Sequence, residues 1–365
     1  MSSISQPTAR LVSLDAFRGL AIAAMILVNN PGSWEAVYPP LLHASWHGWT
    51  PTDLIFPFFL FIVGMALNFS RRTSGLEAIR RALILFALGL FMAAFPFFEL
   101  RTVRIPGVLQ RIAVCYLVAW AIHRHLKWKG QALVAAGLLV FYYLLLTQVP
   151  VPGESGPNLE PERNLTAHLD RLLLGGHLWR QTKTWDPEGL LSTLPAIATT
   201  LLGALAGAWL RSNRTGGSTS AGFIAGGIAL VASGLAWSLV FPINKNLWTS
   251  SYVLFTAGAA AFIFGICYFL ADVRGFRAWT RPFAIYGLNA IVVFVASGLL
   301  AKTLTLLPMA GPEGSALSAQ AVIYRSVFAA WLSPFNASLA YALANVVFWY
   351  AVAWFLDRRD IHPKV

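Results

Sequence analysis

LVSLDAFRGLAIAAMILVNN, residues 11–30, is the stretch that decides the fold. It is uncharged apart from Asp15 and Arg18, and about 20 mostly apolar residues is the length a helix needs to cross a bilayer. Working outward, nine more runs of the same kind follow, at 53–70, 82–98, 107–123, 131–149, 189–210, 221–241, 249–271, 283–304 and 337–356. The whole chain agrees: 365 residues are 57% hydrophobic and 12% charged, with a mean hydropathy of +0.63. Soluble domains carry about twice that share of charge. The expectation is an all-α polytopic membrane bundle of about ten transmembrane helices, forming a single domain over 1–365. The first run is long and contains two charges, so it reads as a span and not as a cleavable leader. Cys115 and Cys267 lie inside apolar runs and read as small hydrophobes.

The 27 Lys and Arg against 15 Asp and Glu leave a net charge of +12. In a soluble protein this would suggest nucleic acid; here it reads as basic residues placed beside a membrane, with no nucleic-acid partner. With the N-terminus inside, sixteen basic residues fall to the inner side, among them Arg10, Arg71, Arg72, Arg358, Arg359 and Lys364, and nine to the outer side. Four of the nine share one long loop, where the rule is weakest. This bias predicts both termini in the cytoplasm and a multi-pass protein of the inner cell membrane. The stretch 317–333 carries Gln320 and Arg325 and is expected to lie in the outer interface. Two outer loops stand out. Residues 31–52 hold two His and three Trp but no Lys or Arg, and residues 150–188 are rich in Pro, Glu and Asn.

Ionisable groups inside spans are costly and are functional candidates by default. Asp15 and Arg18, three apart, share a helix face and can pair. Asn29 ends the first run, where a cap would be ordinary. Asp53 opens the second run, where the helix dipole favours a carboxylate. Arg111, one turn into the fourth run beside Gln110, needs a carboxylate or a phosphorylated ligand. His43 and His47 are four apart, but no Cys or third His is near and Pro39-Pro40 precedes them, which disfavours a metal. A histidine near a capping carboxylate suits proton transfer. No serine-hydrolase, Walker or dinucleotide motif occurs.

Leu14-Asp15-Ala16-Phe17-Arg18-Gly19, Val28-Asn29, His43-Ala44-Ser45-Trp46 and Asp53-Leu54-Ile55-Phe56-Pro57-Phe58-Phe59 together resemble the heparan-α-glucosaminide N-acetyltransferase family. Arg104-Ile105-Pro106-Gly107-Val108-Leu109-Gln110-Arg111, Asp186-Pro187-Glu188-Gly189, Asn244-Lys245-Asn246-Leu247-Trp248 and Tyr286-Gly287-Leu288-Asn289 extend the resemblance in family order. The chain looks like bacterial relatives that lack the luminal domain and leading span of eukaryotic members. The resemblance implies an integral membrane enzyme that takes acetyl from acetyl-CoA, its co-substrate, and places it on the amine of a glucosamine-type sugar. It puts the catalytic histidine on His43 and a functional asparagine on Asn29.

On that reading His43 serves as general base or carries the acetyl group itself. Asp53 orients its ring and Asn29 donates to the oxyanion. Candidates for holding CoA are Asp15, Arg18, Arg104, Gln110 and Arg111. Candidates for the sugar are Trp46, Asp186, Glu188, Asn244, Asn246, Trp248 and Asn289. No metal is called for, and a homodimer is compatible. The rival class is a transporter of amino sugars or their N-acetylated products, which gives His43 no special place.

Overall fold

The apolar runs fall on helices, the run 283–304 being divided between two of them. The computed structural model describes residues 11–69, 73–310 and 316–362, so Arg10, Arg71, Arg72 and Lys364 of the charge count lie outside the described residues. The helices are α1 (Val12–Asn29), α2 (Ile55–Leu67), α3 (Gly75–Ala94), α4 (Val108–His125), α5 (Trp128–Gln148), α6 (Leu165–Leu174), α7 (Thr193–Leu210), α8 (Gly216–Ser238), α9 (Ser250–Tyr268), α10 (Thr280–Leu288), α11 (Ala290–Leu306), α12 (Ala319–Ile323) and α13 (Pro334–Arg358). Among the described residues six of them, α1, α5, α7, α8, α9 with its following turn, and α13, are long and apolar enough to cross a membrane. The pair α10 and α11, bent by 77° at their junction, brings the number to seven. The molecule is therefore an all-helical, polytopic membrane protein. Helix α2 is short, and α3 opens on the charged Glu77, Arg80 and Arg81.

Lipid tails are as apolar as leucine, so helices in a membrane associate through close backbone approach at small residues. Gly203 and Gly207 of α7 and Gly64 of α2 make one such contact. A Cβ on Gly203 would stand 2.0 Å from the Phe61 carbonyl oxygen, and one on Gly64 would stand 1.9 Å from that of Thr200. Gly19 of α1 lies equally close to α10, where a Cβ would meet the Phe283 carbonyl.

The connections gather at two ends. At one, Arg211 donates to the Asn68 carbonyl at 2.5 Å and the Ser13 N–H donates to Asp272 at 3.1 Å, joining the ends of α2, α7, α9 and α1. At the other, Gly48 N–H donates to the Ile243 carbonyl at 2.8 Å and Ile105 N–H to that of His177 at 3.0 Å. There the Trp46 indole also donates to the Leu159 carbonyl at 3.0 Å. This second end thus stitches together residues 31–54, 95–107, 149–192 and 239–249. The outer loop 150–188 contains α6, whose Asn164 caps the helix by accepting from Ala167 N–H. The stretch 317–333 shares a two-stranded antiparallel hairpin, β1 (Pro308–Ala310) with β2 (Ala316–Ser318), then runs through α12. Gln320 donates to the Pro31 carbonyl and so pins this stretch to the same end.

Beneath that end three large side chains are fully buried, and each has its polar atom satisfied. Trp248 donates to Thr199 Oγ1 at 3.1 Å, Tyr142 to the Leu247 carbonyl and Tyr252 to the Asp53 carbonyl, both at 2.5 Å. A buried hydroxyl without a partner would cost a few kcal/mol. These bonds therefore fix the 242–249 connection and the start of α2 against the helix core.

Candidate active site

Asp53 is held before it is used. It sits in the 3-10 turn Pro51–Leu54, where it closes a capping box with Thr50. Its Oδ2 accepts from the N–H of Thr50 at 2.9 Å, the Thr50 hydroxyl at 3.2 Å and the N–H of Ala44 at 3.0 Å. Donors aimed at a carboxylate favour its charged form. The remaining oxygen, Oδ1, lies 2.6 Å from His43 Nδ1. Asp53 is 1% exposed while the His43 side chain is 49% exposed, so a buried acid steadies a ring that opens outward. With Nδ1 facing a carboxylate, the proton is assigned to Nδ1 and the lone pair to Nε2.

Lys245 completes the group. Its Nζ stands 3.2 Å from His43 Nδ1, 3.1 Å from Nε2 and 4.0 Å from Asp53 Oδ1. Near-equal distances to both ring nitrogens place the ammonium against the ring face, because a position in the ring plane would collide with the carbon between them. The in-plane lone pair of Nε2 is left open. Burial lowers the Lys245 pKa, and Glu188 and Asp53 recover part of the shift.

Behind this group lies a buried ionic cluster. Arg104 grips Asp186 with two bonds, Nε to Oδ2 at 2.8 Å and Nη2 to Oδ1 at 2.5 Å, and reaches Glu188 at 2.5 Å. Burial works against the Glu188 carboxylate, yet Arg104, Arg111 and Lys245 outweigh it and hold its pKa below the ordinary glutamate range. Arg111 is 2% exposed, donates to the Gly189 carbonyl at 3.0 Å and to Ser192 Oγ at 2.5 Å, and faces the Trp248 ring at 5.0 Å. Its Nε and Nη1 make no hydrogen bond among the described residues. Asp170 of α6 accepts from Asp186 and Leu190 N–H, and burial pushes its pKa up to about 6.

The residues anticipated from the sequence divide into three sets. His43, Asp53, Trp46, Arg104, Gln110, Arg111, Asp186, Glu188, Asn244, Asn246 and Trp248 all belong to the end that carries His43. Within it, Trp46 meets Trp185 edge-on at 5.2 Å, and Trp248 is wholly buried between Phe56, Tyr252 and Arg111. Asn244 is consumed locally, accepting from Leu247 N–H, and also lies 3.3 Å from His47 Nδ1. Gln110 packs against Gly89 and Gly107, where a Cβ on either glycine would meet its amide oxygen.

Asn29 lies at the same end, outside the hydrogen-bonded group around His43. It is exposed at the end of α1 and lines a cavity of about 80 Å³ with Asn30, Ser297 and Phe294. Asp15 and Arg18 pair at 3.4 Å at the opposite end of α1, where Arg18 also reaches the Gly287 carbonyl at 3.5 Å. Asn289 is buried at the α10–α11 break and donates to the Ile285 and Ala353 carbonyls.

Lys245 is the residue that sequence reasoning missed. Its signal was present, since it stands alone as a lysine in a short connection between two apolar runs. Tyr252 and Asp170 carried no signal, because their roles come from contacts between distant segments.

Among the described residues no group of three or more His, Cys, Asp or Glu is arranged to hold a metal. A family model described as heparan-alpha-glucosaminide N-acetyltransferase, catalytic, matches residues 10–241. Two heparan-alpha-glucosaminide N-acetyltransferases are similar along most of the chain. The mouse protein (Mus musculus) is 32% identical over 359 residues, covering 80% of this chain and 54% of its own length. The human protein (Homo sapiens) is 31% identical over 354 residues, covering 78% and 52%. The chain thus spans about half the length of the curated relatives it matches.

Proposed function

The chain belongs to the heparan-alpha-glucosaminide N-acetyltransferase family, and on that premise we propose that it is a membrane-embedded acetyltransferase. It moves acetyl from acetyl-CoA to the amine of a glucosamine-type sugar. The observation that carries this reading is the 2.6 Å contact between His43 Nδ1 and a buried, fully bonded Asp53. Asp53 holds the ring so that Nε2 faces the substrates. Nε2 takes the proton of the sugar ammonium, and the freed amine attacks the thioester carbonyl. A C–N bond forms, the C–S bond breaks, the proton held on Nε2 goes to the departing thiolate, and the attacking nitrogen releases its second proton to solvent. General-base help of this kind contributes about 10²–10⁴-fold. The same free Nε2 is the atom that would carry acetyl if transfer ran in two steps.

Asn29, beside its 80 Å³ cavity, is proposed as the amide donor to the thioester oxyanion. Arg111, with two buried donors unused, is proposed to meet a CoA phosphate. Arg104 is already bound by two carboxylates, so its proposed part is to hold the 186–189 turn. Trp46 and Asn246, both only partly buried, are proposed on the sugar side. Arg18 at the far end of α1 would reach the same coenzyme if CoA lay along that helix.

Ten crossings with both termini cytoplasmic, in the inner membrane, complete the proposal. They are supported by the excess of basic residues at one end and by the gathering of alternate connections at the other. Reporter fusions at residue 365 and within 150–188 should lie on opposite sides of the membrane. The function is tested with purified protein, acetyl-CoA and glucosamine, by following free thiol. Transfer is expected from the parent and not from His43→Ala; transfer at the parental rate by that variant overturns the reading.

A further inference from the structure

The acceptor in the proposed reaction is a primary amine, and the chain already places one on His43. We infer that Lys245 is a self-acetylation site: without an acceptor sugar, the protein transfers acetyl from acetyl-CoA to its own Lys245 Nζ and thereby closes its active site. The inference rests on the acetyl-CoA reading above.

Three observations carry it. Nζ lies 3.1 Å from His43 Nε2, the atom proposed to deprotonate the sugar amine. A turn of the terminal lysine torsion, one of several staggered options, brings it from the ring face towards the lone pair. Nζ is also held only by a long ion pair, 4.0 Å from Asp53 Oδ1. At that distance Oδ1 is too far for a hydrogen bond, and the His43 ring nitrogens, at 3.1 and 3.2 Å, are nearer to Nζ than that carboxylate. Lys302, by contrast, donates to the Met92 and Phe95 carbonyls at the end of α3. Burial lowers the Lys245 pKa, which raises the share of neutral, nucleophilic amine.

The step balances without a further reagent. An Nζ proton passes to His43 Nε2, Nζ bonds to the thioester carbonyl carbon, the C–S bond breaks, and His43 returns the proton to the CoA thiolate. The products are acetyl-Lys245 and CoA. The amide is neutral and stable, so it leaves an acetyl group over the His43 ring and removes the cation facing Asp53 and Glu188. A sugar amine in place would capture the acetyl first, so the modification accumulates only when acetyl-CoA is present and acceptor is scarce.

The test uses the full chain in detergent, radiolabelled acetyl-CoA and no sugar, followed by peptide mapping. One acetyl group on Lys245, among the six lysines of the sequence, is expected. The label should resist neutral hydroxylamine, which cleaves acetyl-imidazole but not an amide. Transfer activity should fall in step with the label, and added glucosamine should slow both. Lys245→Arg should gain no stable label and lose none of its starting activity on preincubation. His43→Ala should label about 100-fold more slowly. The inference is overturned if protein that acetylates glucosamine leaves Lys245 unmodified. It is also overturned if exposed lysines such as Lys183 label as fast, or if His43→Ala labels at the parental rate. If the parent releases no thiol with or without glucosamine, the acetyltransferase reading itself fails and takes this inference with it.

Discussion

The two ends of α1 each hold charged residues, and they are built in opposite ways. At one end Asp15 and Arg18 pair across a single helical turn at 3.4 Å, both partly exposed. At the other, His43, Asp53 and Lys245 meet from two connections about 200 residues apart in sequence, backed by Arg104, Asp186 and Glu188 from two more and by Arg111 of α4. The first pair is local, so a single helical turn brings its two charges together. The second is non-local and largely buried, so each charge depends on partners that only the fold supplies. Removing one partner of such a cluster leaves an uncompensated charge, which costs far more than an exposed pair contributes.

This difference is open to measurement. The largest effect is expected at the His43 end, where His43→Ala and Asp53→Asn should each lower transfer by about 10²–10⁴-fold. If either variant keeps parental turnover, the active site is elsewhere. Next comes Arg104→Leu, which strands Asp186 at 0% side-chain exposure and should cost about 3–5 kcal/mol of stability, read as a fall in detergent melting temperature. A small change there would mean that Asp186 does not depend on Arg104 for its charge compensation. Arg18→Gln should cost about 1 kcal/mol or less, and a loss as large as that of Arg104→Leu would erase the contrast between the two ends. The smallest effect belongs to His47→Ala. Its ring touches only the Asn244 amide at 3.3 Å among the hydrogen bonds of the described residues, so turnover should stay within about threefold of the parent, the scale of an ordinary surface substitution.

His43 and His47 also show how far a sequence can be read. They are four residues apart in one uncharged loop, and nothing in their spacing separates them. Only the return of Asp53 to one ring, and of Asn244 to the other, gives them different surroundings. Arg111 was legible as a buried cation needing partners, but Ser192 and the Gly189 carbonyl were not, because they arrive from the turn before α7, about 80 residues on. Lys245 was visible as a charge and invisible as a neighbour of His43.

The sequence by itself determined the all-helical membrane architecture, the positions of the ten apolar runs and the identity of the charged residues embedded among them. These follow from local rules: the length of an apolar run sets whether a helix can span, and a charge within it is costly wherever the helix packs. Tertiary structure alone decided which glycines bring α2 against α7, where α10 breaks from α11, and which charges meet. Such contacts join residues tens to hundreds of positions apart. Their energies depend on burial and on partners within about 4 Å, neither of which a linear pattern contains.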